Sequence, residues 1–99
     1  MQAKYLTVVA NMVAQVGKEK LVRDELLSLV EPSRKDEGCI SYDLHQSVEK
    51  PELFHFHETW TSRQMLDRHL EKPDLQAVLG RVSEMLAQDP SITLWEKIS

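Results

Sequence analysis

Two strand-like segments separated by a proline-containing turn constrain this chain more than any other feature. Residues 39–47 and 53–60 contain the aromatic, isoleucine and threonine residues that favour strands. Residues 48–52 lie between them and include Pro51, which fits a turn and not the interior of a sheet. A loop of this length predicts an antiparallel hairpin, so we expect the fold to contain an antiparallel sheet.

The segments that flank the hairpin show the spacing of helices and further strands. The predicted helices cover residues 18–31, 63–70 and 74–88, and the predicted outer strands cover residues 3–13 and 92–98. Pro32 ends or kinks the first helix, and Lys72-Pro73-Asp74 separates the other two. The order β-α-β-β-α-β predicts an α+β, ferredoxin-like fold, with one antiparallel sheet and helices on one face. We expect residues 1–99 to form a single domain.

Size and charge narrow the classes of partner. Both faces of the strand at residues 3–13 carry apolar side chains, so we expect a homodimer in which a second sheet covers the face without helices. The net charge of −4 disfavours nucleic acid and membrane surfaces as main partners. No apolar run approaches the roughly 18 residues of a membrane span. A lone cysteine and the lack of a signal-peptide pattern favour a cytoplasmic location.

Alternation sorts the hairpin side chains into two faces. The even-numbered face is large and aromatic and includes one carboxylate: Ile40, Tyr42, Leu44, Gln46, Phe54, Phe56, Glu58 and Trp60. The odd-numbered face is smaller and more polar: Cys39, Ser41, Asp43, His45, Leu53, His55, His57 and Thr59. If the strand register places the two even-numbered sets on the same face of the sheet, that face forms an aromatic core and the histidines lie on the other face.

Glu58 and His69 are the candidate acid–base residues. A carboxylate among apolar side chains has a raised pKa, which suits a general base or acid near neutral pH. Alternatively, Glu58 reaches solvent or pairs with Arg63 or Arg68. His69, near the end of the predicted helix at 63–70, could turn back toward the sheet, or it could be structural or exposed.

The remaining histidines suggest a metal site only weakly. His45, His55 and His57 share the odd face with Asp43, and two histidines at alternate strand positions can bind one ion. A solvent-exposed face or a dimer contact explains the same alternation of polar residues, and we therefore predict no metal. Cys39 has no histidine at a useful spacing and is expected to be a small buried residue.

Three groups of residues resemble a known family. They are Arg34-x-x-x-Gly38-Cys39-x-x-Tyr42-x-Leu44, Pro51-x-x-Phe54-x-x-x-Glu58-x-Trp60, and Leu66-x-x-His69-Leu70 with Pro73. Together they resemble the antibiotic biosynthesis monooxygenase family of dimeric α+β-barrel proteins. The resemblance covers about forty residues by motif and the whole chain by length and element order.

The resemblance implies a homodimer with a pocket between sheet and helices. Members include monooxygenases that oxidise quinols or polycyclic phenols with O2 and without flavin, haem or metal, so no cofactor is expected. His69 or Glu58 would act as base or proton shuttle. The residues expected to bind substrate are Trp60, Tyr42, Phe54 and Phe56, with Asn11 as a possible donor to an oxyanion.

One departure from the family pattern bears on mechanism. Many members have a second histidine after the proline that follows His69, and this chain has Asp74 there. This departure argues against a mechanism that needs two histidines, and the last helix lacks the histidine expected for haem degradation. Two alternatives to oxygenation stay open: isomerisation or breakdown of a small oxygenated signalling metabolite, and non-enzymatic binding of a small molecule by the dimer.

Overall fold

The computed structural model describes residues 5–99. The elements are β1 (Leu6–Val13), α1 (Glu19–Leu27), α2 (Val30–Arg34), β2 (Cys39–Gln46), β3 (Leu53–Trp60), α3 (Arg63–Leu70), α4 (Pro73–Ser83) and β4 (Ser91–Glu96). The first strand was predicted at residues 3–13, and residues 3 and 4 lie outside the described residues. The hairpin strands and α3 lie where the sequence predicted them, apart from Ser47, which follows β2.

The four strands form one antiparallel sheet in the order β2-β3-β1-β4. This order places the first and third strands at the centre, as in a ferredoxin-like fold. Even-numbered side chains of the central strands are buried on the face that carries the helices. The predicted α+β class and ferredoxin-like arrangement are therefore confirmed.

The core lies between the sheet and the helices. It consists of apolar side chains from the even-numbered face and from the inward faces of the helices and adjoining loops: Val8, Ala10, Met12, Ala14, Val22, Leu26, Leu29, Tyr42, Phe54, Phe56, Trp60, Leu66, Leu75, Val78, Val82 and Leu86. Because one continuous cluster joins the sheet to the helices, this cluster positions α3 and α4 over β3. No helix within residues 5–99 is both long enough and apolar enough to cross a membrane.

The helix ends differ from the prediction around proline residues. α1 ends at Leu27 instead of residue 31, and Pro32 lies within the short helix α2. A proline ring clashes with the carbonyl four residues earlier, which here belongs to Ser28, the residue that follows α1. Pro32 is tolerated in α2 because it occupies the first turn, where the backbone N–H groups have no intrahelical partner.

The last helix is shorter than predicted. α4 begins at Pro73, a residue favoured at the first helical position, and ends at Ser83 instead of residue 88. Leu86 is buried nonetheless, because the chain beyond the helix forms a bridge with Ala14. The apolar stripe predicted for this helix therefore continues beyond its end, through a turn to the bridge at Leu86.

A β-bulge corrects two of the predicted side-chain directions. Cys39 pairs with Trp60 and Ser41 pairs with Thr59, so Ile40 is an extra residue in β2. An extra residue reverses the alternation before it. Ile40 is consequently exposed instead of buried, and Cys39 packs partly against the core instead of lying on the polar face. From Tyr42 onward the predicted faces are correct.

We expect Gly38→Ala to destabilise the fold far more than Gly17→Ala. Both glycines have a positive φ, 84° and 89°, which costs other residues about 1–2 kcal/mol. A Cβ at Gly17 would meet open space, whereas a Cβ at Gly38 would overlap the Met65 side chain of α3. Urea unfolding should show a loss of about 1 kcal/mol for Gly17→Ala and about 3 kcal/mol or more for Gly38→Ala. Equal losses would show that the contact with Met65 has no energetic weight.

Candidate active site

A largely apolar cavity of about 330 Å³ lies between the even-numbered face of the sheet and helices α3 and α4. Its lining residues are Val8, Ala10, Met12, Tyr42, Phe56, Glu58, Arg63, Leu66, His69, Leu70, Leu75, Leu79, Val82, Ser83, Leu86, Pro90, Ile92 and Leu94. The volume is at the lower end of the roughly 300–1,000 Å³ typical of small-molecule sites. Both predicted acid–base residues, Glu58 and His69, line it.

Glu58 is a buried carboxyl group at the sheet side of the cavity. It faces the helices because its position in β3 has the same parity as Phe54 and Phe56. Its Oε1 accepts a hydrogen bond of 2.9 Å from Nε1 of Trp60. Burial raises the pKa of Glu58 from 4.5 to about 7, and the bond from Trp60 only partly opposes that rise.

The alternative partners considered for Glu58 are engaged elsewhere. Nε of Arg63 bonds Oδ1 of Asp67 at 3.1 Å, one turn along α3. Arg68 approaches Glu37 at 4.0 Å on the surface. The described residues thus give Glu58 a neutral hydrogen-bond donor and no ion pair, which is why its raised pKa persists.

His69 approaches the cavity from α3. Ser62 begins this helix as its cap, since its Oγ accepts a bond of 3.2 Å from the backbone N–H of Met65. The His69 side chain is only 3% exposed, and its Nδ1 lies 2.8 Å from Oδ2 of Asp36. Burial lowers the pKa of His69, and the hydrogen bond with Asp36 opposes that change. The imidazole is therefore neutral at neutral pH.

Aromatic rings connect the two acid–base residues. The rings of Trp60 and His69 have centroids 4.6 Å apart, and the Tyr42 ring meets His69 edge-on at 5.4 Å. Trp60 is fully buried and lies outside the cavity lining, so it supports Glu58 and His69 from behind. Burial raises the pKa of the Tyr42 hydroxyl, which keeps that group protonated.

The other predicted site residues divide between cavity, core and the opposite face. Phe56 lines the cavity and packs on Tyr42 with centroids 4.8 Å apart, whereas Phe54 is buried outside the lining. Asn11 is exposed and pairs in register with His55. Since its neighbours Ala10 and Met12 face the cavity, alternation turns Asn11 to the other face of the sheet. The structure therefore contradicts a role for Asn11 inside this cavity.

Sequence reasoning missed Asp36 and Lys72, and it named Arg63 only as a partner for Glu58. Asp36 and Lys72 contact each other behind His69, with Nζ of Lys72 2.5 Å from Oδ1 of Asp36. Arg63 lines the cavity although much of its side chain is exposed. Asp36 lies in a charged segment without periodicity, so its direction could not be inferred; only its charge, opposite to that of Lys72, hinted at the pair.

The remaining histidines lie away from the cavity. His45 and His55 are cross-strand partners whose rings stack with centroids 4.6 Å apart, and His57 is exposed on the same face. Burial and the neighbouring histidines lower the pKa of His55. Within residues 5–99, no group of three or more His, Cys, Asp or Glu side chains is arranged to hold a metal ion.

A family model identifies the relatives of this chain. The model described as antibiotic biosynthesis monooxygenase matches residues 5–81. The chain belongs to the antibiotic biosynthesis monooxygenase family. Membership indicates a monooxygenase-type activity and confirms the resemblance seen in the hairpin motifs. Asp74, which replaces the second histidine of many family members, is exposed at the first turn of α4 and lies outside the cavity lining.

Solved structures of similar proteins share the fold over nearly the whole chain. That of PA3566 from Pseudomonas aeruginosa superposes with a TM-score of 0.91 at 31% identity, covering 100% of this chain and 99% of that one. A conserved protein from Methanosarcina mazei Go1 gives a TM-score of 0.89 at 28% identity, with coverages of 96% and 94%.

Two relatives found by sequence carry no named substrate. Rv0793 of Mycobacterium tuberculosis, named only provisionally as a monooxygenase, is 30% identical over 89 residues, covering 90% of this chain and 87% of that protein. The uncharacterised Synechocystis protein sll1783 is 30% identical over 78 residues. The match to sll1783 involves 75% of this chain and only 53% of that protein's length.

We expect Glu58→Gln to stabilise the protein in a pH-dependent manner. The folded state holds the Glu58 proton more tightly than the unfolded chain, so stability is lost as the pH rises from 4.5 to about 7. Glutamine keeps an acceptor for Trp60 without the charge. The variant should be more stable by up to about 3 kcal/mol at pH 8 and by about 1 kcal/mol or less at pH 5.

Urea unfolding at the two pH values measures this difference. Glu49→Gln in the exposed turn serves as the matched control, because its charge lies in solvent in both states. A gain for Glu58→Gln that does not change between pH 5 and pH 8 would contradict the raised pKa.

Proposed function

We propose that this protein is a cofactor-independent monooxygenase that oxidises a quinol-like or phenolic small molecule with O2. The observation that carries the proposal is the sharing of one apolar cavity by a carboxyl group with a pKa of about 7 and a neutral imidazole. Both groups can exchange protons with a ligand near neutral pH. Family membership supports the reaction class, and the geometry supports the type of substrate.

The chemistry needs only a base and a dry cavity. Glu58 would remove a hydroxyl proton, since Oε1 is held by Trp60 and Oε2 can then receive a ligand's proton. The resulting anion is electron-rich and can reduce O2 directly. For a hydroquinone, one oxygen atom enters the ring and the other leaves as water, giving a hydroxyquinone. The substrate supplies all the electrons, so no external reductant is required.

The cavity walls suit a flat aromatic substrate. Tyr42 and Phe56 offer aromatic edges and faces to a ring, and leucine and valine side chains complete most of the surface. Arg63 lies where a phenolate or other anionic group could meet a guanidinium. His69 would be the second acid–base group, able to return a proton to reduced oxygen.

A homodimer is part of the proposal. Among residues 5–99, no helix lies over the odd-numbered face of the sheet, and apolar side chains of β1 and β4 are only partly covered there. Trp95, on this face of β4, is 56% exposed, and Val9 lies near the centre between His57 and Thr93. A second sheet packed face to face would bury these side chains. The proposed partners are thus a small aromatic substrate, O2 and a second copy of the chain, with neither nucleic acid nor membrane.

The proposed activity can be tested by O2 consumption with a panel of hydroquinones and polycyclic phenols, using metal-free protein without added flavin. Glu58→Gln should lower kcat by about 10²-fold or more, because general-base catalysis contributes that much. His69→Ala should also lower kcat. Glu49→Gln, in the exposed β2–β3 turn, should match the wild type.

Three outcomes would contradict the proposed activity or its site. Turnover that continues at the same rate without O2 would favour isomerisation or breakdown of an oxygenated metabolite. Tight binding of aromatics without turnover, or unchanged rates in both Glu58→Gln and His69→Ala, would remove the proposed catalytic site.

Val9→Arg should convert the dimer into a folded monomer. The substitution places a charge at the centre of the face proposed to be buried, and an unpaired buried charge strongly opposes association. Val48→Arg is the matched control, because Val48 is 100% exposed in the β2–β3 turn. Sedimentation velocity measures the mass, and circular dichroism verifies the fold. Wild-type protein that sediments as a monomer, or Val9→Arg that remains dimeric, would contradict this interface.

A further inference from the structure

His69 lies between two cavities. A second cavity of about 230 Å³ is on the far side of the ring, between the end of α1, α2 and the start of α4. Its lining residues are Ser28, Leu29, Pro32, Ser33, Asp36, His69, Lys72, Asp74, Leu75 and Val78. His69 and Leu75 border both cavities, and of these two only His69 can titrate. The second cavity is more polar than the first, because it contains Asp36 and Lys72.

Asp36 is held ionised behind the His69 ring. Burial alone would raise its pKa, but hydrogen bonds from Lys72 and His69 outweigh burial and hold the pKa below the usual range. Nζ of Lys72 is hydrogen-bonded to Oδ1 of Asp36, and Nδ1 of His69 is hydrogen-bonded to Oδ2. Each carboxylate oxygen therefore has its own partner. An ionised carboxylate can only accept hydrogen bonds. Nδ1 must therefore carry the proton.

This bond determines which nitrogen serves the apolar cavity. With Nδ1 donating to Asp36, the neutral ring has its lone pair on Nε2, the nitrogen left for a ligand. If His69 takes up a proton at Nε2, the carboxylate of Asp36 balances the new charge. The same arrangement orients the histidine in serine hydrolases, where the carboxylate fixes the tautomer without taking the proton.

We propose that Asp36 and Lys72 are positioning residues that make His69 the proton store of the oxygenation reaction. Asp36 fixes the ring with Nε2 toward the substrate, and Lys72 fixes Asp36. Glu58 removes one hydroxyl proton of the hydroquinone, and His69 accepts the proton of the other hydroxyl at Nε2. That proton is returned from Nε2 to the reduced oxygen, so His69 gains and loses none overall. The inference rests on the proposed function, but the ring geometry can be tested without turnover.

The charged groups around His69 predict that its pKa shifts in opposite directions when Asp36 or Lys72 is replaced. Asp36 and Lys72 lie on one side of the ring, and Tyr42 and Glu58 are on the sheet side. Removing the Asp36 charge takes away interactions that raise the pKa of His69. Removing the Lys72 charge takes away one that lowers it. Asp36→Asn should therefore lower the pKa of His69, and Lys72→Met should raise it.

Nitrogen NMR of protein with 15N-labelled histidine is the test, with the His69 signals assigned by their loss in His69→Gln. In the wild type the neutral ring should carry its proton on Nδ1. Asp36→Asn should abolish that preference. The matched controls are Asp24→Asn and Lys20→Met, which remove the partners of an exposed Asp–Lys pair on α1 and should leave His69 unchanged.

Kinetics supply the second readout. Asp36→Asn should lower kcat for a hydroquinone by at least about 10-fold, with KM changed less than about twofold, because the residue does not touch substrate.

Specific outcomes would overturn the proposal. They are a wild-type ring protonated on Nε2, a His69 that titrates in Asp36→Asn and Lys72→Met as in the controls, or an unchanged kcat in Asp36→Asn. If Asp36→Asn does not fold, the wild-type tautomer and Lys72→Met decide the question. If no phenol or quinol is oxidised, the proposed function fails, and the NMR result still decides whether Asp36 fixes His69.

Discussion

The alternation of side chains along β3 is the constraint on which the rest of the structure depends. It directs Phe54, Phe56, Glu58 and Trp60 together under the helices and turns the histidines of the hairpin the other way. A carboxyl group is thereby buried among aromatic rings, where its charged form is disfavoured. The helices complete the site, since α3 brings His69 onto the same aromatic cluster.

Burial shifts the pKa values of the two acid–base groups in the cavity in opposite directions. Burial raises the pKa of Glu58, whose nearest polar partner is the uncharged indole of Trp60. Burial lowers the pKa of His69, but Asp36 limits the fall. The same loss of solvation thus makes an acid weaker and a base weaker. The difference in their partners determines how far each one shifts.

The sequence was sufficient for the features that depend on local periodicity. The hairpin, α3 and the even-numbered face from Tyr42 onward follow from alternation and helical spacing. The bulge at Ile40 was not foreseeable, because one extra residue changes the register without changing the pattern of residue types. The contact of Asp36 with His69 spans 33 positions and depends on tertiary packing, which charge alone does not specify. Asn11 was predicted to donate to an oxyanion, but its odd parity in β1 turns it to the face opposite the cavity.

The close approach of Gly38 to α3 has a consequence for transferring this site to another protein. The backbone N–H of Thr61 bonds the carbonyl of Gly38 at 2.8 Å, and Met65 packs where a larger residue 38 would need space. Asp36 is two positions before this contact. The contact therefore holds the loop that carries Asp36 against α3, which carries His69. A graft of the cavity residues alone would lack this contact. A transfer of the site would therefore have to carry the loop at 36–38, α3 and Lys72 as one piece, together with Glu58 and Trp60 of β3.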